Sequence, residues 1–267
     1  METIRIRGCD IAYERRGGNG APVLFLNGIA MTIAHWTDLG RVLESDRQCL
    51  YHDFRGQLMS GKPPDGYSLE GHAEDIKELM DAVGMAKAHV VGTSYGSEVG
   101  MVFALAYPES CLSLTVIDGV SELDPVLKAA VDSWKLTALA DPVLFYRTIL
   151  PWNYSPAYLA ASIEGLRKRE EAMKRLPRDY YEAFSRLCDA FLDIDLTGKL
   201  GDITCPTLVL VAERDILKHR RFAEIIARTI PYAELRVIPK AGHAVVIERP
   251  VELGGLIKKW IDSLPTP

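Results

Sequence analysis

Six short apolar runs punctuate the chain: "VLFLN" (23–27), "CLYHD" (49–53), "HVVG" (89–92), "LTVID" (114–118), "TLVLVA" (207–212) and "ELRVIP" (234–239). Runs of this length, apolar at successive rather than alternate positions, suit strands buried on both faces. Between several of them the apolar residues recur with helical spacing. Residues 68–83 bring Ile76, Leu79, Met80 and Val83 to one face, 96–107 reads as a helix stopped by Pro108, and Pro250 opens a last helix where its missing N–H is not needed. Strands that alternate with helices are joined by crossovers, and crossovers make neighbouring strands parallel. The pattern predicts an α/β fold, a mostly parallel, doubly wound sheet with helices on both faces.

Two segments depart from this alternation. Residues 4–15 alternate around "RGCD" and read as an antiparallel hairpin, followed by a Gly-rich turn, "RRGGNGAP", with no strand-to-helix setting for phosphate binding. Residues 121–197 have helical periodicity and no convincing strand, which predicts a helical cap inserted into a core made of 1–120 and 198–267. The charge run "RKREEAMKRLPRD" inside it reads as a solvated helix face.

With 267 residues and 48% hydrophobic content the chain can bury one large core. A net charge of −5 provides no basic footprint for nucleic acid, and no stretch reaches the roughly 18 unbroken apolar residues of a membrane span. Cys9, Cys49, Cys111, Cys188 and Cys205 are odd in number and scattered, without CxxC or zinc-site spacing. A reducing, cytoplasmic setting, no metal and a small-molecule substrate are expected, while the oligomeric state is left open.

"VVGTSYGSEVG" (90–100) sets Ser94 between two glycines at the end of an apolar run. Gly-x-Ser-x-Gly arises by accident in roughly one chain in ten of this length at average composition, so its setting decides. Here a short strand precedes it and a helix-forming segment follows, the context of a strained turn that holds a serine out as nucleophile at the carboxyl edge of a sheet. A serine hydroxyl needs a base. His243, in the loop "KAGHAVVIERP" after the last strand, is the candidate; His52 and His89 read as structural, and His35, His72 and His219 as surface positions.

The base in turn needs a carboxylate to fix its tautomer. Asp215, the last residue of "LVLVAERD" and three residues past the strand, is favoured because it completes the order Ser, Asp, His, with Asp118 at the end of "LTVID" as the rival. Oxyanion donors are expected at the Tyr95 amide and, from "FLNGIAMTIAHW", the Ile29 amide beside Gly28.

Taken in order, "NGIAM", "DFRGQLMSGKP", "GTSYGS", the helical segment, "AERD" and "AGHAVVIERP" resemble the α/β-hydrolase superfamily over essentially the whole chain, in the branch with 3-oxoadipate enol-lactonases, carrier-protein methyl esterases and small aryl esterases. The resemblance implies a cofactor-independent serine hydrolase of a small carboxylic ester or lactone, with a cap that shapes the substrate pocket. Trp152 and Tyr154, in the proline-bracketed "PWNYSP", are the candidate substrate contacts. Cleavage of a carbon–carbon bond in a vinylogous diketone, and a small-ligand receptor on the same fold, are the alternatives. Three positions depart from the family's usual pattern. Asn27 replaces histidine before Gly28, "RGQLMS" lacks a second glycine, and Ser97 stands after Gly96 where glycine is frequent.

Overall fold

In the computed structural model, which describes residues 1–265, the apolar runs become strands of one sheet. The strands are β1 (Glu2–Ile6), β2 (Cys9–Gly17), β3 (Pro22–Leu26), β4 (Gln48–His52), β5 (Ala88–Thr93), β6 (Cys111–Ile117), β7 (Thr207–Ala212) and β8 (Ala233–Ile238). They lie in the order β1-β2-β4-β3-β5-β6-β7-β8. The first two form the expected hairpin, turning at Arg7 and Gly8, and β2 pairs antiparallel with β4. All later pairings are parallel.

The order dictates where a site can form. From β3 the chain winds outward to β4, then returns to β5 on the other side of β3. The loops leaving β3 and β5 therefore emerge side by side, with Leu26 opposite Gly92, at a switch in winding direction where open α/β sheets form their ligand crevice.

Alternate residues of β3 serve two cores. Leu24 and Leu26 face α2 (Leu69–Ala82) and α3 (Tyr95–Ala106), whereas Val23 and Phe25 join Leu39 of α1 (Thr37–Glu44) and Leu253 of the last helix on the opposite face. With apolar packing on both faces, every residue of β5 and β7 is buried.

Between β6 and β7 lie α4 (Pro125–Ala140), α5 (Pro142–Asn153), α6 (Pro156–Ala161), α7 (Ile163–Met173) and α8 (Arg178–Leu192). Three start on a cap-plus-proline pair. Asp124, Asp141 and Ser155 accept hydrogen bonds from first-turn amides, and the following proline supplies the preset φ of the first helical residue. Phe145 and Phe184, with centroids 4.6 Å apart, anchor α5 against α8. The chain finishes with α9 (Arg220–Thr229), α10 (Val245–Glu248) and α11 (Pro250–Asp262). Among the described residues no helix is long and apolar enough to cross a membrane.

Candidate active site

Ser94 sits between β5 and α3 with φ 51° and ψ −119°, a left-handed-side conformation that side chains avoid. The glycines beside it make this turn possible, because a Cβ at Gly92 would strike the Gly96 carbonyl and one at Gly96 the Leu26 carbonyl. Ser97 adds a tie. Its hydroxyl donates to the Gly92 carbonyl at 2.8 Å and accepts from the Ile117 amide at 3.0 Å, and the Ser94 amide bonds the Ile117 carbonyl at 2.8 Å. Serine in place of the usual glycine thus stitches the turn to β6.

The loop after β8 brings His243 Nε2 to 2.9 Å from Ser94 Oγ, and its Nδ1 to 2.7 Å from Asp215 Oδ2. With Nδ1–H donating to the carboxylate, Nε2 is left to accept the serine proton. The other oxygen of Asp215 accepts the amides of Leu217 and Lys218, both at 2.8 Å. These bonds fix the carboxylate plane.

Asp118, the rival acid, makes no hydrogen bond to His243 among the described residues. Its Oδ1 accepts the Ala212 amide at 2.8 Å, its Oδ2 is buried without a partner, and burial together with the neighbouring Asp215 charge holds its carboxyl well above the usual carboxylate range. Asp118, Asp215 and His243 converge to within 4.8 Å, close enough in principle to share a cation. Both Asp215 oxygens and His243 Nδ1 are, however, already matched as acceptors and donor.

The loop after β3 is held from below. Asn27 Nδ2 donates to Asp53 at 3.0 Å and Gln57 at 2.9 Å, and its Oδ1 accepts from Trp36 Nε1 at 2.7 Å. Gln57 donates in turn to the Gly28 carbonyl at 2.8 Å, while Asp53 also accepts the Thr32 hydroxyl and the Ile33 amide. The asparagine replaces a histidine without loosening the loop, because its amide offers both a donor and an acceptor to this buried network. Gly28 lies against Ser94, and neither the Ile29 nor the Tyr95 amide has an acceptor among the described residues.

A cavity of about 320 Å³ opens over Ser94. Its floor includes Ile29, Tyr95 and His243, and its roof is drawn from α4, α5, α7 and α8 with Trp134, Tyr146, Arg169 and Phe184. Tyr154 lines it, but Trp152 does not; Trp152 is half-buried against apolar neighbours. The proline-bracketed segment is not one turn. Helix α5 continues through Pro151 to Asn153, and this separates Trp152 from Tyr154.

Two histidines differ from expectation. His72 is fully buried rather than at the surface, packed between Phe54 and Tyr95, and burial lowers its pKa to about 3. His35 lines the cavity, with a pKa lowered by burial and then by the charge of Arg169. Sequence reasoning also missed Lys218 and Glu98, an ion pair at 2.8 Å that is almost wholly buried and joins α3 to the Asp215 loop. Glu98 accepts the Val120 amide as well, and Lys218 Nζ lies 4.5 Å from the Phe191 ring centre. The pairing spans 120 residues, so no local pattern announces it.

The sheet order, the turn at Ser94 and the inserted helices define a hydrolase of the α/β class. The chain belongs to the alpha/beta hydrolase fold family, whose model matches residues 21–250. It is 30% identical over 236 residues, 88% of each chain, to a protein of Azorhizobium caulinodans named as a carbamate hydrolase, RutD. Among solved structures it is similar to MGS-M2, an α/β hydrolase from a Medee basin deep-sea metagenome library, with TM-score 0.94, 27% identity and coverage of 100% and 99% of the two chains. A thermophilic esterase of Thermogutta terrifontis aligns at TM-score 0.89 and 25% identity over 100% of both chains.

Proposed function

We propose that this protein is a serine hydrolase that cleaves a small carboxylic ester or lactone through an acyl-enzyme. The observation that carries the reading is the unbroken chain from Ser94 Oγ through both His243 nitrogens to Asp215, on the floor of a cavity. In this reading His243 takes the Ser94 proton as Oγ attacks the carbonyl, and the new oxyanion accepts the free amides of Ile29 and Tyr95. Collapse expels the alkoxide, protonated by His243. Water, activated by the same histidine, then releases the acid. No step needs a cofactor.

Helices α4–α8 act as the cap that selects the acyl group. A cavity of about 320 Å³ favours compact substrates. The free, buried cysteines fit a reducing compartment. A carbamate is the second reading, favoured by the name of the 30%-identical relative. The same attack would give a carbamoyl-enzyme, slower to hydrolyse because nitrogen donates into the carbonyl.

Replacing Ser94 with Ala is expected to abolish fluorophosphonate labelling and to lower turnover by about 10⁵-fold or more. Labelling that survives in this variant would remove Ser94 as the nucleophile. A panel of p-nitrophenyl esters, lactones and carbamates ranks the substrate classes, with kcat/KM expected to fall for acyl chains beyond about eight carbons.

A further inference from the structure

Among the described residues the cavity wall holds two cations, Arg169 and Lys218, and no acid. Of the two, Lys218 is neutralised by Glu98, whereas Arg169 makes no ion pair among the described residues. The acids near Arg169 in sequence are engaged elsewhere, Glu170 with Arg147 and Glu171 with Lys174. Across the chain, Glu248 is held by the Ser155 amide and hydroxyl, both at 2.7 Å. Among the described residues Arg169 is kept in place by neutral groups. Its Nη1 donates to the Tyr154 hydroxyl at 2.8 Å and its Nη2 to the Tyr158 hydroxyl at 3.5 Å, and those two rings stack with centroids 4.8 Å apart.

A half-buried guanidinium lacking its counter-charge is costly unless something anionic completes it. The Tyr146 hydroxyl, on the same cavity wall as Arg169, is buried without a hydrogen-bond partner among the described residues. A planar fork of donors, with a spare phenol on the same wall, matches the two oxygens of a carboxylate. Most of the rest of the roof is apolar, Asn153 and the Trp134 indole N–H being exceptions, so a short hydrocarbon suits the remainder of the ligand.

We propose that Arg169, supported by Tyr154 and Tyr146, recognises an ionised carboxylate on the substrate, so that the preferred substrates are short monoesters or lactones carrying a second, free carboxylate. This rests on the ester-hydrolase reading for its chemistry but not for its binding. The charge of Arg169 is not needed to bring Ser94, His243 and Asp215 together, and its contribution is to KM.

The test compares monomethyl glutarate with methyl pentanoate, its nearly isosteric neutral counterpart. The wild type is expected to favour the anionic ester by about 10²-fold in kcat/KM, Arg169→Gln to bring that ratio close to one, and Arg169→Lys to fall between them. A wild-type ratio at or below one, or a ratio that Arg169→Gln leaves unaltered, overturns the proposal. Calorimetric titration with glutarate and the neutral glutaramide provides a readout free of turnover. Glutarate binding tighter than glutaramide in the wild type, and equal to it in Arg169→Gln, supports carboxylate recognition even if neither ester is cleaved. Equal binding of the two by the wild type sinks it even if both are.

Discussion

The floor and the roof of the cavity are built on opposite terms. In the floor, strained backbone at Ser94 and Asp118, the buried Lys218–Glu98 pair and the fully buried strand β5 leave each reacting atom one position. In the roof, α7 buries only Leu166, its ion pairs lie at the surface, and Leu136, Leu144 and Ile163 face solvent. The Ser94–His243–Asp215 constellation sits on the sheet, where over-determined packing sustains strain. The roof stands on helices that can change with little loss of stability.

The sharpest way to break this contrast is through the floor's carboxylates. Asp215→Asn is expected to lower kcat by about 10⁴-fold because the wrong histidine tautomer is favoured. Asp118→Asn should stay within about tenfold, since an amide has the shape of the acid and can still accept the Ala212 amide. Stopped-flow kinetics on both variants decide the matter, and the reverse ranking would move the working acid to Asp118.

Next in size is the loss of a charge partner. Lys218→Met strands the buried Glu98 and should cost about 3–5 kcal/mol in urea unfolding, much of it recovered by adding Glu98→Gln. Arg147→Met, which removes a surface pair of the roof, should leave the midpoint unchanged within error. Similar losses at the two sites would erase the distinction drawn here.

The smallest effect is a slope. His52 and His72 are buried with both ring nitrogens unpartnered, and burial lowers their pKa values to about 4 and about 3. Below the ordinary histidine value near 6.5 the unfolded chain takes up protons that the folded one refuses. Stability is therefore fully present above that pH and drains away as pH falls toward those depressed values. His72→Leu should flatten the decline between about pH 6 and pH 4 by about 1.4 kcal/mol per pH unit. An unaltered slope would mean that His72 does not titrate differently on folding.

The sheet was legible because buried strands cannot hide their apolar runs, and the turn at Ser94 because only glycine fits where Gly92 and Gly96 meet carbonyls. His243 and Asp215 followed from strand ends. His72 was misread through its polarity, although with Ile76, Leu79 and Val83 it shares the helical spacing of the buried face. Trp152 was misplaced because a proline in the last turn of α5 does not end that helix. Glu98–Lys218 and the Asn27–Asp53–Gln57 network were invisible for another reason. Each joins residues far apart in the chain, and their polar side chains become intelligible only once the strands are in register.

The seam between roof and floor has a consequence for anyone who would transplant one. The Ala244 amide, next to His243, bonds the Asn153 carbonyl at 2.7 Å, Glu248 of α10 holds Ser155 by two bonds, and a Cβ at Gly242 would strike the backbone at Tyr154 and Ser155. The exchangeable module is thus discontinuous in sequence. A chimera that swaps residues 121–197 alone would place a foreign loop against a histidine segment shaped for the native one, whereas one that also carries Gly242 and Glu248 keeps the docking surface intact. Recombination breakpoints tolerated in this family should avoid that junction for the same steric reason.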